Sequence, residues 1–245
     1  MSRDTFTLTL TEKRMVTPTV LHMAFSRLNN EPLEFIPGQF ITVHFTLDEQ
    51  TYQRSYSIAS IPTEDTTIGI AVSPYENGPG TRFLFGMNIG DQVETSGPFG
   101  RLVLKDETPS RYMMIATGTG VTPYRAMLPT FVERIQKQSA KVFVMLGVKS
   151  PEELLYQEDF LRYAASSPHL EFHAFYSRVM PDSPQPYEHQ GYVQTGFEAF
   201  HFNPETDVVY LCGNPNMIDQ SFETLVQMGF QTSQVRREKY ISPKK

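Results

Sequence analysis

Four short stretches of the chain hold residues whose types and spacing could do chemistry. In Tyr52-Gln53-Arg54-Ser55-Tyr56-Ser57-Ile58, strand alternation puts Arg54, Tyr56 and Ile58 on one face and Ser55 and Ser57 on the other. A flat ligand across that strand could stack on Tyr56. Arg54 would clamp a phosphate with two N–H groups, and Ser57 would offer a hydroxyl to a ring nitrogen. An exposed barrel strand with a polar face has the same spacing, so this run alone leaves both readings open.

In Gly78-Pro79-Gly80-Thr81-Arg82-Phe83-Leu84, glycines allow close backbone approach, and a helix opening at Thr81 aims free N–H groups outward, where phosphate binds. A turn followed by an N-capped helix fits the same residues. RYMMIATGTGVTPYRAML reads as strand, turn and helix, with Gly118 and Gly120 in the turn, hydroxyls from Thr119 and Thr122, and Pro123 at the helix start. The dinucleotide fingerprint would want glycine at position 123. The turn still sits at the carboxyl end of a strand, where open sheets bind ligands. VVYLCGNPNMID repeats that placement with Cys212-Gly213-Asn214-Pro215, though a lone cysteine also suits plain packing.

The elements that must position these residues differ between the two halves. Residues 1 to 106 read as short strands FTLTL, EFIPGQFITVHF, RSYSIAS, TIGIAV and RLVL, broken by Pro-Gly and Gly-Pro turns. That rhythm predicts an antiparallel β-barrel. Residues 107 to 245 read as apolar strands YMMIA, VFVML, LEFHAFY, VVYLC and VRREKYI, separated by helices at 124–137, 151–165 and 216–228. That is the pattern of βα units on a parallel sheet. Ser150-Pro151-Glu152-Glu153 has the form of a capping box, Gly229 that of a helix terminator, and Lys105–Ser110 that of a linker.

The totals narrow the classes. A formal net charge of -6 argues against a nucleic-acid binder. No apolar run approaches the roughly 18 residues of a membrane-spanning helix. The amino-terminal MSRDTFTLTL lacks the apolar core of a signal peptide, so a cytoplasmic protein is the expectation. A single cysteine leaves no internal disulfide, no four-thiolate cluster and no cysteine-only zinc site. His169 and His173 would align on a helix, but LEFHAFY reads as a strand, so no metal site is expected.

Taken together, PGQF, RSYS, GPGT, GTGVTP and CGNP, in this order, resemble the ferredoxin–NADP(+) reductase family in its small bacterial, flavin-only form. The resemblance covers nearly the whole chain. It implies a flavin-binding antiparallel barrel followed by a five-stranded nucleotide domain, with FAD and NADP(H) as cofactors. It implies that Arg54, Gly78, Gly80 and Thr81 hold the FAD pyrophosphate, with Ser55, Tyr56, Ser57 and the Ile70, Ala71 and Val72 backbone around the isoalloxazine. Thr117, Gly118, Thr119, Gly120, Gly213, Asn214 and Met217 would hold the nicotinamide nucleotide, and Cys212 would approach its C4. Tyr240 would cover the flavin face, and Glu238 would relay a proton or anchor the site; Ser57, Cys212, Glu238 and Tyr240 are therefore the catalytic set.

Arg178, beside Ser177, and Lys149 match positions that favour a 2′-phosphate, with Tyr192 stacking on adenine. Gly191-Tyr192-Val193 also suits NADH enzymes, and NADP(H) is the expectation. The partner implied is ferredoxin or flavodoxin as a separate acidic carrier, docking on Arg54, Arg82, Lys239, Lys244 and Lys245 of a monomer. An NADH-dependent reductase component of an oxygenase is the alternative, and a non-catalytic flavin-binding subunit a third.

Overall fold

Apolar alternation drives the amino-terminal half into a closed sheet. In a computed structural model of the chain, which describes residues 5–27 and 31–240, the first elements are β1 (Thr5–Met15), β2 (Leu21–Arg27), β3 (Phe40–Leu47), β4 (Gln50–Ser57) and β5 (Ile68–Val72). Helix α1 (Pro79–Gly86) and β6 (Gln92–Phe99) follow. The strands pair antiparallel in the order β4-β3-β6-β1-β2-β5. The two ends of that order meet where Ile58 bridges Ile70 and the Ala59 N–H donates to Gly69 at 2.7 Å, curling the sheet into a barrel. Leu8, Leu10, Met23, Phe25, Ile41, Val43 and Ile70 fill its interior.

The strands β2 and β6 lie outside the runs that read as strand, and RLVL forms none. β6 was hidden by polar residues on buried positions, Thr95 and Ser96. Leu102, in RLVL, is instead buried in a core shared by both halves, and the Val103 carbonyl accepts from the Tyr210 hydroxyl at 3.3 Å.

The second half alternates strand and helix: β7 (Arg111–Thr117), a 3₁₀ turn at Gly118–Val121, α2 (Thr122–Ala126), α3 (Leu128–Gln138), β8 (Lys141–Val148), α4 (Gln157–Ser166), β9 (Leu170–Tyr176), β10 (Glu188–Gln190), α5 (Gly196–Ala199), β11 (Asp207–Gly213), α6 (Pro215–Gln227) and β12 (Val235–Lys239). All pair parallel, in the order β10-β9-β8-β7-β11-β12. The sheet is thus six-stranded rather than five, the extra strand being the three-residue edge β10.

Two helix expectations change. The 124–137 helix starts at Thr122 and breaks at Met127, where Pro129 has no N–H to continue the ladder. The 151–165 helix becomes a 3₁₀ turn at Pro151–Glu153, uncapped by the Ser150 side chain, followed by α4. Between them Leu154, Leu155 and Tyr156 are all buried. A surface helix cannot bury three consecutive residues on one face. Helix α6 ends as expected, with Gly229 and Phe230 donating to the Val226 and Leu225 carbonyls.

The two halves share one apolar core. Val20, Ala59, Ile61, Ala71 and Leu102 of the barrel pack with Val121, Tyr124, Met127 and Leu128 of the parallel-sheet half. At this seam His22 Nδ1 lies 2.8 Å from the Tyr156 hydroxyl. Burial, then the charges of Arg14 and Arg125, pull His22 from the ordinary 6.5 down to about 4, with Glu12 and Asp65 opposing. Below pH 6.5 the unfolded chain takes up a proton that the folded chain refuses. Stability from this group is therefore complete above 6.5 and lost as pH falls toward 4. A loss of about 3 kcal/mol is expected across that window. Thermal unfolding of wild type and His22→Gln over pH 4–7 checks it: the variant should have the shallower pH slope, and equal slopes would contradict the assignment.

Candidate active site at the domain junction

The barrel contributes β4 and the start of α1. Helix α1 begins at Pro79, two residues before Thr81, with no side chain capping it, so its first-turn amides stay open. It rests directly on β4: a Cβ on Gly80 would fall 2.8 Å from the Tyr56 hydroxyl and 3.3 Å from Arg54 Cγ. Thr81 Oγ1 accepts from the Tyr75 N–H at 2.8 Å, leaving its own proton to donate. Arg54 bonds only the Gln53 carbonyl, at 2.8 Å, and has no carboxylate partner among the described residues. An unpaired guanidinium beside open helix amides fits a pyrophosphate. Burial pushes the Tyr56 hydroxyl up to about 12, so it stays protonated.

Ser55 is exposed and hydrogen-bonded to Thr42 at 3.0 Å, on the strand face opposite Arg54 and Tyr56. Ile70, Ala71 and Val72 lie on β5 with their side chains buried, leaving only backbone to meet a ligand. Across from them, a second set of residues gathers at the carboxyl ends of β7 and β11. Gly120 packs so tightly on β11 that a Cβ would sit 2.3 Å from the Cys212 carbonyl oxygen. Gly213, at φ +122°, would place one 2.6 Å from the Thr117 carbonyl. Thr117 Oγ1 also accepts from the Asn214 N–H at 3.0 Å. The 3₁₀ turn is thus clamped to the next strand, while a side chain on Gly118 would meet nothing within 4 Å. Thr119 is half-buried in this turn, and the buried hydroxyl of Thr122 finds no partner there. This open, amide-lined turn fits a nucleotide pyrophosphate.

Two residues expected on the nucleotide are used by the fold. Asn214 caps α6, its Oδ1 accepting from the Asn216 and Met217 amides at 2.8 and 3.3 Å. Met217 is buried in the core, its sulfur accepting from Ser221. The outer residues lie where the sheet ends. Lys149 follows β8 and pairs with Glu153 at 3.5 Å. Ser177 follows β9, its hydroxyl donating to the Val148 carbonyl at 3.3 Å. Arg178 is exposed, with no ion partner among the described residues, and its N–H bonds the Lys149 carbonyl at 3.0 Å. Tyr192 follows β10 and is 69 % exposed.

The two halves meet on Ser57. The Tyr240 hydroxyl donates to Ser57 Oγ at 2.6 Å, and Ser57 donates to Glu238 Oε1 at 3.3 Å. Glu238 pairs in register with Cys212 across β12 and β11, and the thiol is within hydrogen-bonding reach of Tyr240. Burial raises Glu238, and burial and the Glu238 charge raise Cys212 well above the ordinary range. The four residues therefore form one cluster, half-buried at Glu238 and Tyr240, with its barrel end on β4 and its other end on β11 and β12 beside the nucleotide turn. Residues 241–245 lie outside the described part of the chain.

Among the described residues, no group of three or more His, Cys, Asp or Glu is placed to hold a metal. His173 bonds Glu171 and His189 instead, both at 3.1 Å. Of the expected basic docking patch, Arg82 pairs with Asp48 at 2.7 Å and Lys239 with Asp219 at 2.6 Å, while Arg54 has no ion pair among the described residues. Lys244 and Lys245 lie outside the described residues. No helix among the described residues is long and apolar enough to cross a membrane. The residue most at odds with the sequence reading is Arg125, buried in VTPYRAML, an otherwise apolar run. A cation there was the available signal.

Comparison with known proteins agrees with this division. Residues 7–104 match the oxidoreductase FAD-binding domain, and residues 114–222 match the oxidoreductase NAD-binding domain. The chain is 30 % identical over 228 residues to the ferredoxin–NADP reductase of Azotobacter vinelandii, covering 86 % of this chain and 85 % of that one. It is 26 % identical over 232 residues to the toluate 1,2-dioxygenase electron transfer component of Pseudomonas putida, spanning 94 % of this chain but 66 % of that longer protein. The ferredoxin–NADP+ reductase of Neisseria gonorrhoeae, solved with bound FAD and NADP, shares the fold at a TM-score of 0.81 and 22 % identity, over 97 % of this chain and 99 % of that one. A nearly full-length relative, with both domain types matched in order, makes this chain a member of the ferredoxin–NADP reductase family, an FAD-dependent oxidoreductase that uses a nicotinamide nucleotide.

Proposed function

We propose that this reductase exchanges electrons between NADP(H) and a separate carrier protein, ferredoxin or flavodoxin, as a cytoplasmic monomer with its domain boundary near residue 106. The observation that supports this most directly is the junction cluster: Ser57 of the barrel joins Tyr240 and Glu238, beside Cys212, at the edge of the nucleotide turn. Bound FAD would supply hydride acceptance and single-electron release. The chain's own task is to hold two rings within about 3–3.5 Å of reaction geometry and keep water out. Arg54, Thr81 and the α1 amides would hold the FAD pyrophosphate, Tyr56 and Ser57 its ring, and Gly118–Gly120 the nucleotide pyrophosphate. Tyr240, hydrogen-bonded to Ser57, would cover the ring until the nicotinamide arrives, with Glu238, which accepts from Ser57, anchoring the site or relaying a proton.

The choice of NADP(H) rests on Arg178, an exposed arginine at the sheet edge with no carboxylate partner among the described residues. Arg178→Ala should raise KM for NADPH about 10-fold, the worth of one charge-assisted hydrogen bond, and leave KM for NADH unchanged. Steady-state turnover with ferredoxin and flavodoxin as acceptors measures both. Equal losses with the two nucleotides would remove Arg178 from the 2′-phosphate site. The second reading, an NADH-dependent component serving an oxygenase, is favoured by Tyr192, which stands exposed, and by Lys149, whose charge is taken by Glu153. Wild-type preference for NADH would select it.

A further inference from the structure

The seam between the domains is pinned by one buried cation that the reading above does not use. Arg125, in α2, follows the nucleotide turn by four residues and is 7 % exposed. Its Nη1 donates to the Ala59 carbonyl at 2.6 Å and to Asp65 Oδ2 at 3.1 Å, both in the barrel. Its Nε donates to Asp159 Oδ2 of α4 at 2.7 Å, and its guanidinium lies 4.9 Å from the Tyr156 ring centroid. The barrel partners are themselves held. Asp65 Oδ2 also accepts from the Ile61 N–H at 2.7 Å, closing a turn in which the Asp65 N–H donates to the Ile61 carbonyl at 2.8 Å. Ala59 is tied by its own N–H to Gly69 and stands two residues beyond Ser57. Outside this centre, Arg162 makes a two-pronged pair with Glu64 at 2.9 and 2.7 Å, and the Tyr163 hydroxyl adds a third bond at 2.8 Å.

We propose that Arg125 is a positioning residue for hydride transfer: through Ala59 and Asp65 it fixes the Ser57 end of the flavin strand relative to the nucleotide turn. The inference rests on the functional reading above. A surface pair between the domains would hold them loosely. A buried guanidinium with three charged or carbonyl partners in fixed geometry holds two segments in a defined relative position. Both segments lead directly to the residues proposed to hold the two cofactors, one through Ala59 to Ser57 and the other through Thr122 to Gly120. Misplacement by about 1 Å at such a distance costs on the order of 100-fold in rate.

The test is anaerobic stopped-flow reduction of the FAD-loaded enzyme by whichever nicotinamide nucleotide reduces wild type, across nucleotide concentration. Asp65→Asn and Arg125→Gln should lower the limiting reduction rate about 10- to 100-fold. The concentration for half-maximal rate and the FAD content should change by less than about twofold. Arg125→Lys should recover part of the rate. Asp159→Asn, which cuts an arm within one domain, should keep the limiting rate within about threefold of wild type. Asp65→Asn decides the matter if Arg125→Gln does not fold. Wild-type limiting rates in Asp65→Asn, a loss only in proportion to lost FAD, or an equal loss in Asp159→Asn would each overturn the proposal. Failure of wild type itself to be reduced by either nucleotide would overturn the functional reading, and this inference with it.

Discussion

Gly120→Ala is expected to cut kcat/KM for the nicotinamide nucleotide by about 100-fold or more, the largest effect of any conservative substitution in the site. The cause is distance. The added carbon would meet the Cys212 carbonyl oxygen at 2.3 Å and its carbonyl carbon at 2.6 Å. Both are backbone atoms of a buried strand and cannot swing aside, so the 3₁₀ turn must lift away from β11. Lifting it would break the clamp made by Thr117 and the Asn214 N–H and move Gly118 and Thr119 away from the proposed pyrophosphate position. Overpacking of this kind also costs about 1–3 kcal/mol of stability. Nucleotide titration and thermal unfolding separate the two effects. Gly118→Ala is the instructive contrast: it has open space above it but a φ of +52°, so its penalty comes from backbone strain rather than collision.

Arg54→Ala is expected to weaken FAD binding about 10- to 100-fold while leaving the barrel folded. The guanidinium makes no ion pair among the described residues and bonds only a neighbouring carbonyl, so the apoprotein loses little. The loss falls on the bound state, where the pyrophosphate would face open α1 amides without its counter-charge. Equilibrium dialysis of FAD against wild type and variant, with circular dichroism of both apoproteins, measures this. Unchanged retention of FAD would place the pyrophosphate elsewhere. Arg82→Ala serves as a control, because Arg82 is exposed and already paired with Asp48.

The motifs carried the site further than periodicity carried the fold. Each glycine-rich turn stood at the end of an element, and the structure puts Gly118–Val121 and Gly213 at adjacent carboxyl edges, as the strand–turn order implied. Glu238 and Cys212 came together because parallel register makes them neighbours, which no local pattern encodes. Strands failed to show where polar residues took buried positions: β6 hides Thr95 and Ser96, and Ser96 answers to His44 at 2.7 Å across the sheet. The helix expected from Pro151 failed for the opposite reason. Its Leu154-Leu155-Tyr156 run dips into the core between the domains, a tertiary demand that overrides a good local start signal. The charge pairing within the expected docking patch was not legible, because it depends on which acids fold alongside: Asp48 and Asp219 are distant in sequence from Arg82 and Lys239, while Arg54 has no ion pair among the described residues.

At the junction cluster, hydride would pass between two bound cofactors. The most direct measurement is the flavin absorbance of purified, FAD-loaded protein after anaerobic mixing with NADPH, for wild type and Ser57→Ala. The expected result is rapid bleaching in wild type, and bleaching slowed about 10-fold or more in Ser57→Ala with its FAD fully retained. A wild-type protein that binds FAD and stays yellow with both NADPH and NADH would contradict it.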